Sequence, residues 1–302
     1  MLKIKGIIPA MVTPFDEKEN LNEGALRKLT NYLIKGGIHG LFPTGSQGEF
    51  YALTPQECKR VWQIVVEETM GRVPVYAGTG AITTREVIEL NAMAADVGVD
   101  AVSVITPFFI GPNQNELYEH YKKIAQATKL PIILYSNPGR TGGLVYQVST
   151  ILRLAQDFEN IVGIKDSSGD FTVAGEIIRV VRGARPDFNV IMGRDTLIHA
   201  CFCYGGQASI AATGNVCPAV VAKIYDAYVA GDLKGSLEAQ YKLAPLRIAF
   251  EFGTFPVVVK EGVKMVGIDA GPCRMPVGPM PAERKAALEK VIRDLGVYGI
   301  VK

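Results

Sequence analysis

Between Gly6 and Ala211, short apolar runs alternate with longer amphipathic segments, and this alternation constrains the fold more than any other feature of the chain. The apolar runs are Gly6–Met11, Gly40–Pro43, Val73–Gly78, Ala101–Thr106, Ile132–Tyr135, Ile161–Lys165, Val190–Met192 and Ala208–Ala211. Helical spacing covers Asn22–Lys35, Thr54–Met70, Thr84–Asp96, Gln114–Thr128, Val148–Gln156, Thr172–Arg182 and Asp195–Tyr204. Thr54 before Pro55, with Glu57 three positions on, is a capping box with proline in the first turn. Gly36–Gly37 and Gly98 stand where helices should end. Short connections joined by right-handed crossovers make the strands parallel. Eight such units over about 220 residues predict an α/β fold, a (β/α)8 TIM barrel, with an open doubly wound sheet as the main alternative.

The remaining residues lack this alternation. Val220–Ala230, Leu233–Phe252 and Pro281–Leu295 read as helices, and Gly271–Pro281 reads as an extended connector. The division expected is a barrel over 1–218 and a C-terminal helical extension over 219–302.

The 302 residues are 48% apolar and 21% charged, which suits a folded core without disulfide or metal staples. A net charge of +2 without a dense basic run argues against a nucleic-acid surface or a polybasic membrane patch. The five cysteines, Cys58, Cys201, Cys203, Cys217 and Cys273, form no CxxC pair. With no signal-peptide pattern and no long apolar run, a reducing cytoplasm is the expected location.

In such a barrel, chemistry gathers at the carboxyl ends of the strands. Lys165 ends the run Ile161–Lys165, where desolvation would favour the free amine that attacks a ketone. The competing reading is a lysine that snorkels to solvent. Tyr135 ends the preceding strand and is a phenol suited to moving protons, or simply a rim aromatic. The turn Gly45-Ser46-Gln47-Gly48 offers backbone N–H groups and a hydroxyl to a carboxylate, or is a plain glycine turn. It is neither a Walker A loop nor a nucleophile elbow. Arg140 offers a bidentate guanidinium, or is a solvated loop arginine. His199-x-Cys201-x-Cys203 reads as core packing, so no metal is expected.

Taken together, Ser46, Tyr135 and Lys165 give the chain a likeness to a known family. GIIPAMVTPF at the start, GSQGEF at 45–50, YAGTGA at 76–81, YSNPGRTG at 135–142 and GIKDSSGD at 163–170 stand in family order. The chain resembles the dihydrodipicolinate synthase and N-acetylneuraminate lyase family of Schiff-base aldolases, over nearly its whole length. The resemblance implies a (β/α)8 barrel with C-terminal helices, a homotetramer, and no metal or other cofactor. It implies that pyruvate, or the 2-oxo end of a substrate, condenses with Lys165 while Tyr135 relays protons. Ser46 and the Gln47 backbone would hold the pyruvate carboxylate, Gly193 and Ile210 would line the pocket, and Arg140 would hold a second substrate's carboxylate.

The chain also departs from the pattern. Synthases of the family usually carry two threonines at Ser46 and Gln47, and a relay tyrosine at Phe109 that reaches into the neighbouring subunit. Pro55, Cys58 and Ile82 replace the lysine-feedback residues of some members. The expected function is a class I 2-oxo-acid aldolase acting on a 2-keto-3-deoxy sugar acid or 4-hydroxy-2-oxoglutarate. The alternatives are a 4-hydroxy-tetrahydrodipicolinate synthase joining pyruvate to aspartate semialdehyde, a Schiff-base dehydratase or deaminase, and a catalytically idle barrel that binds pyruvate-like ligands.

Overall fold

The computed structural model describes residues 3–301. Its strands are β1 (Gly6–Pro9), β2 (Tyr76–Gly78), β3 (Ala101–Ile105), β4 (Ile132–Ser136), β5 (Ile161–Asp166), β6 (Asn189–Met192) and β7 (Ala208–Ala211). Its helices are α1 (Glu23–Lys35), α2 (Pro55–Thr69), α3 (Thr84–Val97), α4 (Gln114–Ala127), α5 (Val148–Asp157), α6 (Phe171–Ile177), α7 (Ile198–Cys203), α8 (Pro218–Val229), α9 (Leu233–Ala249), α10 (Val257–Val266) and α11 (Ala282–Asp294).

The strand order is β1-β7-β6-β5-β4-β3-β2. The chain divides into two units by its internal contacts. One contains Tyr76–Ile210 and the N-terminal residues up to Lys5; the other contains Gly6–Val75 and the residues from Ala211 on. In the first unit β2 through β7 pair successively and in parallel. In the second, the run expected as Gly40–Pro43 makes only isolated parallel bridges, Ala10 to Phe42 and Leu41 to Val75. It still holds the second strand position. The Ala10 N–H donates to the Ala211 carbonyl at 3.1 Å. Buried Asn215 secures the same junction, accepting from the Val12 N–H and donating to the Ala10 carbonyl. Every neighbour step of an eight-strand cycle is therefore present, and the fold class is (β/α)8.

Local sequence explains most boundaries. Thr54–Glu57, Thr83–Glu86 and Asn113–Glu116 form capping boxes at the starts of α2, α3 and α4. α1 stops at Gly36, where an added Cβ would lie 2.4 Å from the Pro218 ring at the start of α8. The helix expected over Thr172–Arg182 is α6 followed by a π turn, Ile178–Arg182. The sequence reading missed α10. Its residues are buried without a break from Val257 to Val263, Lys260 and Glu261 among them, and three consecutive valines favour strand. No helix among the described residues is long and apolar enough to cross a membrane.

Against the β3 layer, α4 buries an imidazole. His120 is 8% exposed and its Nδ1 lies 2.9 Å from the Thr84 hydroxyl. Burial lowers its pKa from 6.5 to about 4. The unfolded imidazole takes up a proton first as pH falls, so stability is complete above pH 6.5 and drains away toward pH 4. The expected loss is about 3 kcal/mol. Denaturant melts of the parent and His120→Gln proteins at both ends of that window check this: the parent should lose about that much more than the variant, and equal losses would exclude it.

Candidate active site

Parallel pairing sets the centre of the site. In the β3–β4–β5–β6–β7 register, Ile105, Tyr135, Lys165, Ile191 and Ala208 are successive partners. Side chains alternate between sheet faces, so these five share one face and one level. Tyr135 and Lys165 are thus direct neighbours, 4% exposed each. The Lys165 Nζ lies 3.9 Å from the centroid of the Tyr135 ring. The Tyr135 hydroxyl accepts a hydrogen bond from Asn137 Nδ2 at 2.8 Å, which orients the phenol.

Burial dominates the lysine's titration and pushes its pKa below the ordinary value; Tyr135 and the buried Asp195 act in the opposite sense. The arrangement therefore provides a desolvated amine with an enlarged neutral fraction, beside a phenol held by an amide. Such an amine can attack a carbonyl carbon, and the phenol can carry the protons that carbinolamine formation and collapse require.

The end of β5 is packed tightly around this lysine. The Gly193 N–H donates to the Asp166 carbonyl at 2.7 Å, and the Ser167 N–H donates to the Ser136 carbonyl at 2.8 Å. A Cβ on Gly193 would lie 2.0 Å from the Ser167 Oγ and 2.9 Å from the Asp166 carbonyl oxygen. Ile210, two residues past Ala208, is 1% exposed and shares its face. Arg140 closes a 3₁₀ turn, Pro138–Arg140, and is exposed.

On the opposite face of these strands Asp166 is buried and accepts from both the Ser168 N–H and its hydroxyl at 3.0 Å. Burial raises its pKa. With Ser136, Ile164 and Tyr146 it lines a separate cavity of about 340 Å³.

Ser46 and Gln47 belong to the other unit, in the buried 3₁₀ turn Ser46–Gly48. The Gln47 side chain donates to the Pro256 carbonyl at 3.3 Å, so its amide is engaged in the scaffold. Five of the seven residues singled out from sequence thus fall in one unit, with Tyr135 and Lys165 in contact. Asn137 and Asp195 were not singled out. Both follow a strand end within the segments quoted above, and Asn137 sits two residues beyond Tyr135, on the same side of an extended chain. The alternate residues Cys201 and Cys203 diverge: Cys201 is in the core, whereas Cys203 is exposed, with its Sγ 3.5 Å from His199 Nε2.

Comparison with known proteins follows the same lines. The model of the dihydrodipicolinate synthetase family matches residues 3–295. The 4-hydroxy-tetrahydrodipicolinate synthase of Methanopyrus kandleri is 38% identical over 296 residues, covering 98% of this chain and 97% of that protein. The crystal structure of dihydrodipicolinate synthase from Thermotoga maritima is 31% identical with a TM-score of 0.95, covering 98% of this chain and 100% of that one. A prophage protein of the same family from E. coli K12, solved in complex with pyruvate, is 31% identical with a TM-score of 0.94, covering 97% of this chain and 99% of that one.

The close approach at Gly193 makes a specific prediction. Gly193→Ala must displace the end of β5 and should cost about 1–3 kcal/mol of stability. Urea melts of the two proteins measure it, and an unchanged midpoint would show that the loop after β6 yields instead.

Proposed function

The chain belongs to the dihydrodipicolinate synthetase family and is a carbon–carbon lyase of that family, and from this premise we propose that it joins pyruvate to an aldehyde through a Schiff base on Lys165. The observation that carries the reading is the buried Lys165 amine against the Tyr135 ring. The amine attacks C2 of pyruvate to form a carbinolamine, which loses water to give an iminium. Tyr135, oriented by Asn137, passes the protons. The iminium is an electron sink, so C3 gives up a proton and the resulting enamine attacks the aldehyde carbon, forming the C3–C4 bond. Reversal cleaves the same bond. Ser46 and the Gln47 backbone are proposed to hold the pyruvate carboxylate, Gly193 and Ile210 to line the pocket, and Arg140 to hold a carboxylate on the aldehyde partner.

The curated relatives named 4-hydroxy-tetrahydrodipicolinate synthase favour aspartate semialdehyde as that partner. This moves the synthase ahead of the sugar-acid and hydroxy-oxoglutarate cleavage that the sequence motifs put first. One observation favours the second reading. Phe109, the position at which the resemblance puts the synthases' relay tyrosine, is 94% exposed with φ 72°, and its ring has no hydroxyl to offer. Cleavage of a hydroxylated substrate depends less on that group, because the substrate's own hydroxyl can share the relay. The same proposal carries a homotetramer, a cytoplasmic setting, and the division into a 1–218 barrel and a 219–302 helical extension.

Two experiments test the reading. Pyruvate with borohydride should label Lys165, located by peptide mapping, and Lys165→Ala should fold but neither label nor turn over. Labelling elsewhere, or none, would overturn the Schiff-base reading. Both reactions are then assayed in the parent, Phe109→Tyr and Arg140→Ala proteins. Arg140→Ala should lower kcat/KM for the carboxylated partner roughly tenfold to 150-fold, from the about 1.5–3 kcal/mol of a charge-assisted contact, and spare trapping of pyruvate. Phe109→Tyr should speed synthesis, a positioned acid/base group being worth about 10²-fold or more. A parent protein inert toward aspartate semialdehyde, yet releasing pyruvate from a deoxy-sugar acid, would reverse the order of the two readings.

A further inference from the structure

The unit that contains Ser46 and Gln47 buries a second lysine. Lys260, in α10, is 1% exposed, and its ammonium lies 2.5 Å from the carboxylate of Glu49, which is fully buried. Glu49 is three residues after Ser46 and terminates its 3₁₀ turn. Lys260 Nζ also donates to the Pro272 carbonyl at 2.7 Å and sits 4.1 Å from the centroid of the Phe15 ring. The other carboxylate oxygen of Glu49 accepts the Arg274 N–H at 3.0 Å. The Arg274 guanidinium in turn stacks on Phe15 and donates to the Ala52 carbonyl and to Glu57.

The chain that this pair grips is strained at both ends. Thr44 has φ 53° and Glu49 has φ 57°, left-handed backbone that a side-chain-bearing residue adopts only when its surroundings impose it. The Trp62 indole holds Thr44 through its hydroxyl at 2.6 Å. Thr13 holds the middle by donating to the Gly48 carbonyl at 2.7 Å. The buried ion pair and the Arg274 N–H hold the far end through the Glu49 carboxylate.

A buried ion pair is a poor device for stability. Desolvation of two charges offsets most of their attraction, and well-packed apolar residues often serve stability as well or better. Its use here, at the end of a turn whose backbone N–H groups must keep one direction, points to geometry as its purpose. We propose that Glu49 and Lys260 are positioning residues that hold the Gly45–Phe50 loop in the shape that binds the pyruvate carboxylate. This rests on the assignment of Ser46 and the Gln47 backbone to that carboxylate. Neither residue touches substrate; both act through the loop.

The test separates affinity from stability. Glu49→Leu/Lys260→Met replaces the pair by apolar side chains and should melt closer to the parent than either substitution alone, each of which strands a buried charge. Pyruvate affinity is read by titration calorimetry, which registers binding whether or not the ketone goes on to a lysine. The double variant should bind pyruvate at least tenfold more weakly, and its Ser46 and Gln47 amides should exchange at least tenfold faster. If the double variant does not fold, Lys260→Arg keeps the charge but lengthens the contact, and should weaken pyruvate binding by a similar factor while melting near the parent. A variant that melts with the parent and binds pyruvate equally well would reduce the pair to a structural element and overturn the proposal. A parent protein that binds no pyruvate would instead overturn the assignment of the loop itself, and with it this inference.

Discussion

The parallel pairing of β4 with β5 places Tyr135 directly beside Lys165, and most of the proposed chemistry depends on that one register. A slip of one residue in either strand would turn its side chain to the opposite face and part the two. The register is secured by close backbone approach on the β6 side. Gly163 leaves no room for a Cβ, which would lie 2.6 Å from the Asn189 carbonyl oxygen, and Gly193 leaves none beside Ser167. Two glycines thus let neighbouring chain segments close on the strand that carries the lysine, which is itself buried. Exclusion of water, rather than a particular charged partner, is the main cause of its lowered pKa.

The molecule buries two lysines and treats them differently. Burial pushes both amines below the ordinary pKa. Lys260 faces a carboxylate at 2.5 Å, a carbonyl at 2.7 Å and an aromatic ring, so its ammonium is surrounded by groups that favour charge. Lys165 lies against the Tyr135 phenol, which Asn137 orients, and both Tyr135 and Asp195 favour its charged form against the burial.

Family membership and substrate identity rest on different parts of the chain. The barrel register and the strand-end motifs carry the family, and the strand portions of those motifs lie in the buried interior. The residues proposed to meet the partner aldehyde are exposed: Arg140 at the end of a 3₁₀ turn and Phe109 on a loop. Relatives named as synthases and a chain without the relay hydroxyl are compatible, because loop positions change without disturbing the barrel.

The sequence alone determined the alternation of strands and helices, the capping boxes, and the placing of Lys165 and Tyr135 at adjacent strand ends. These are local properties, written in hydrophobic period and in short-range hydrogen bonding. Tertiary structure decided what depends on contacts between distant segments. α10 stayed hidden because it opens on three valines that favour strand, and its charged residues Lys260 and Glu261 are buried by contacts the sequence does not show. Asn137 gained a role only when its amide was seen to meet the Tyr135 hydroxyl. Glu49 reads in sequence as one more polar loop residue. Its partner lies more than two hundred positions away, and a pair so distant is joined by the fold rather than by any pattern in the chain.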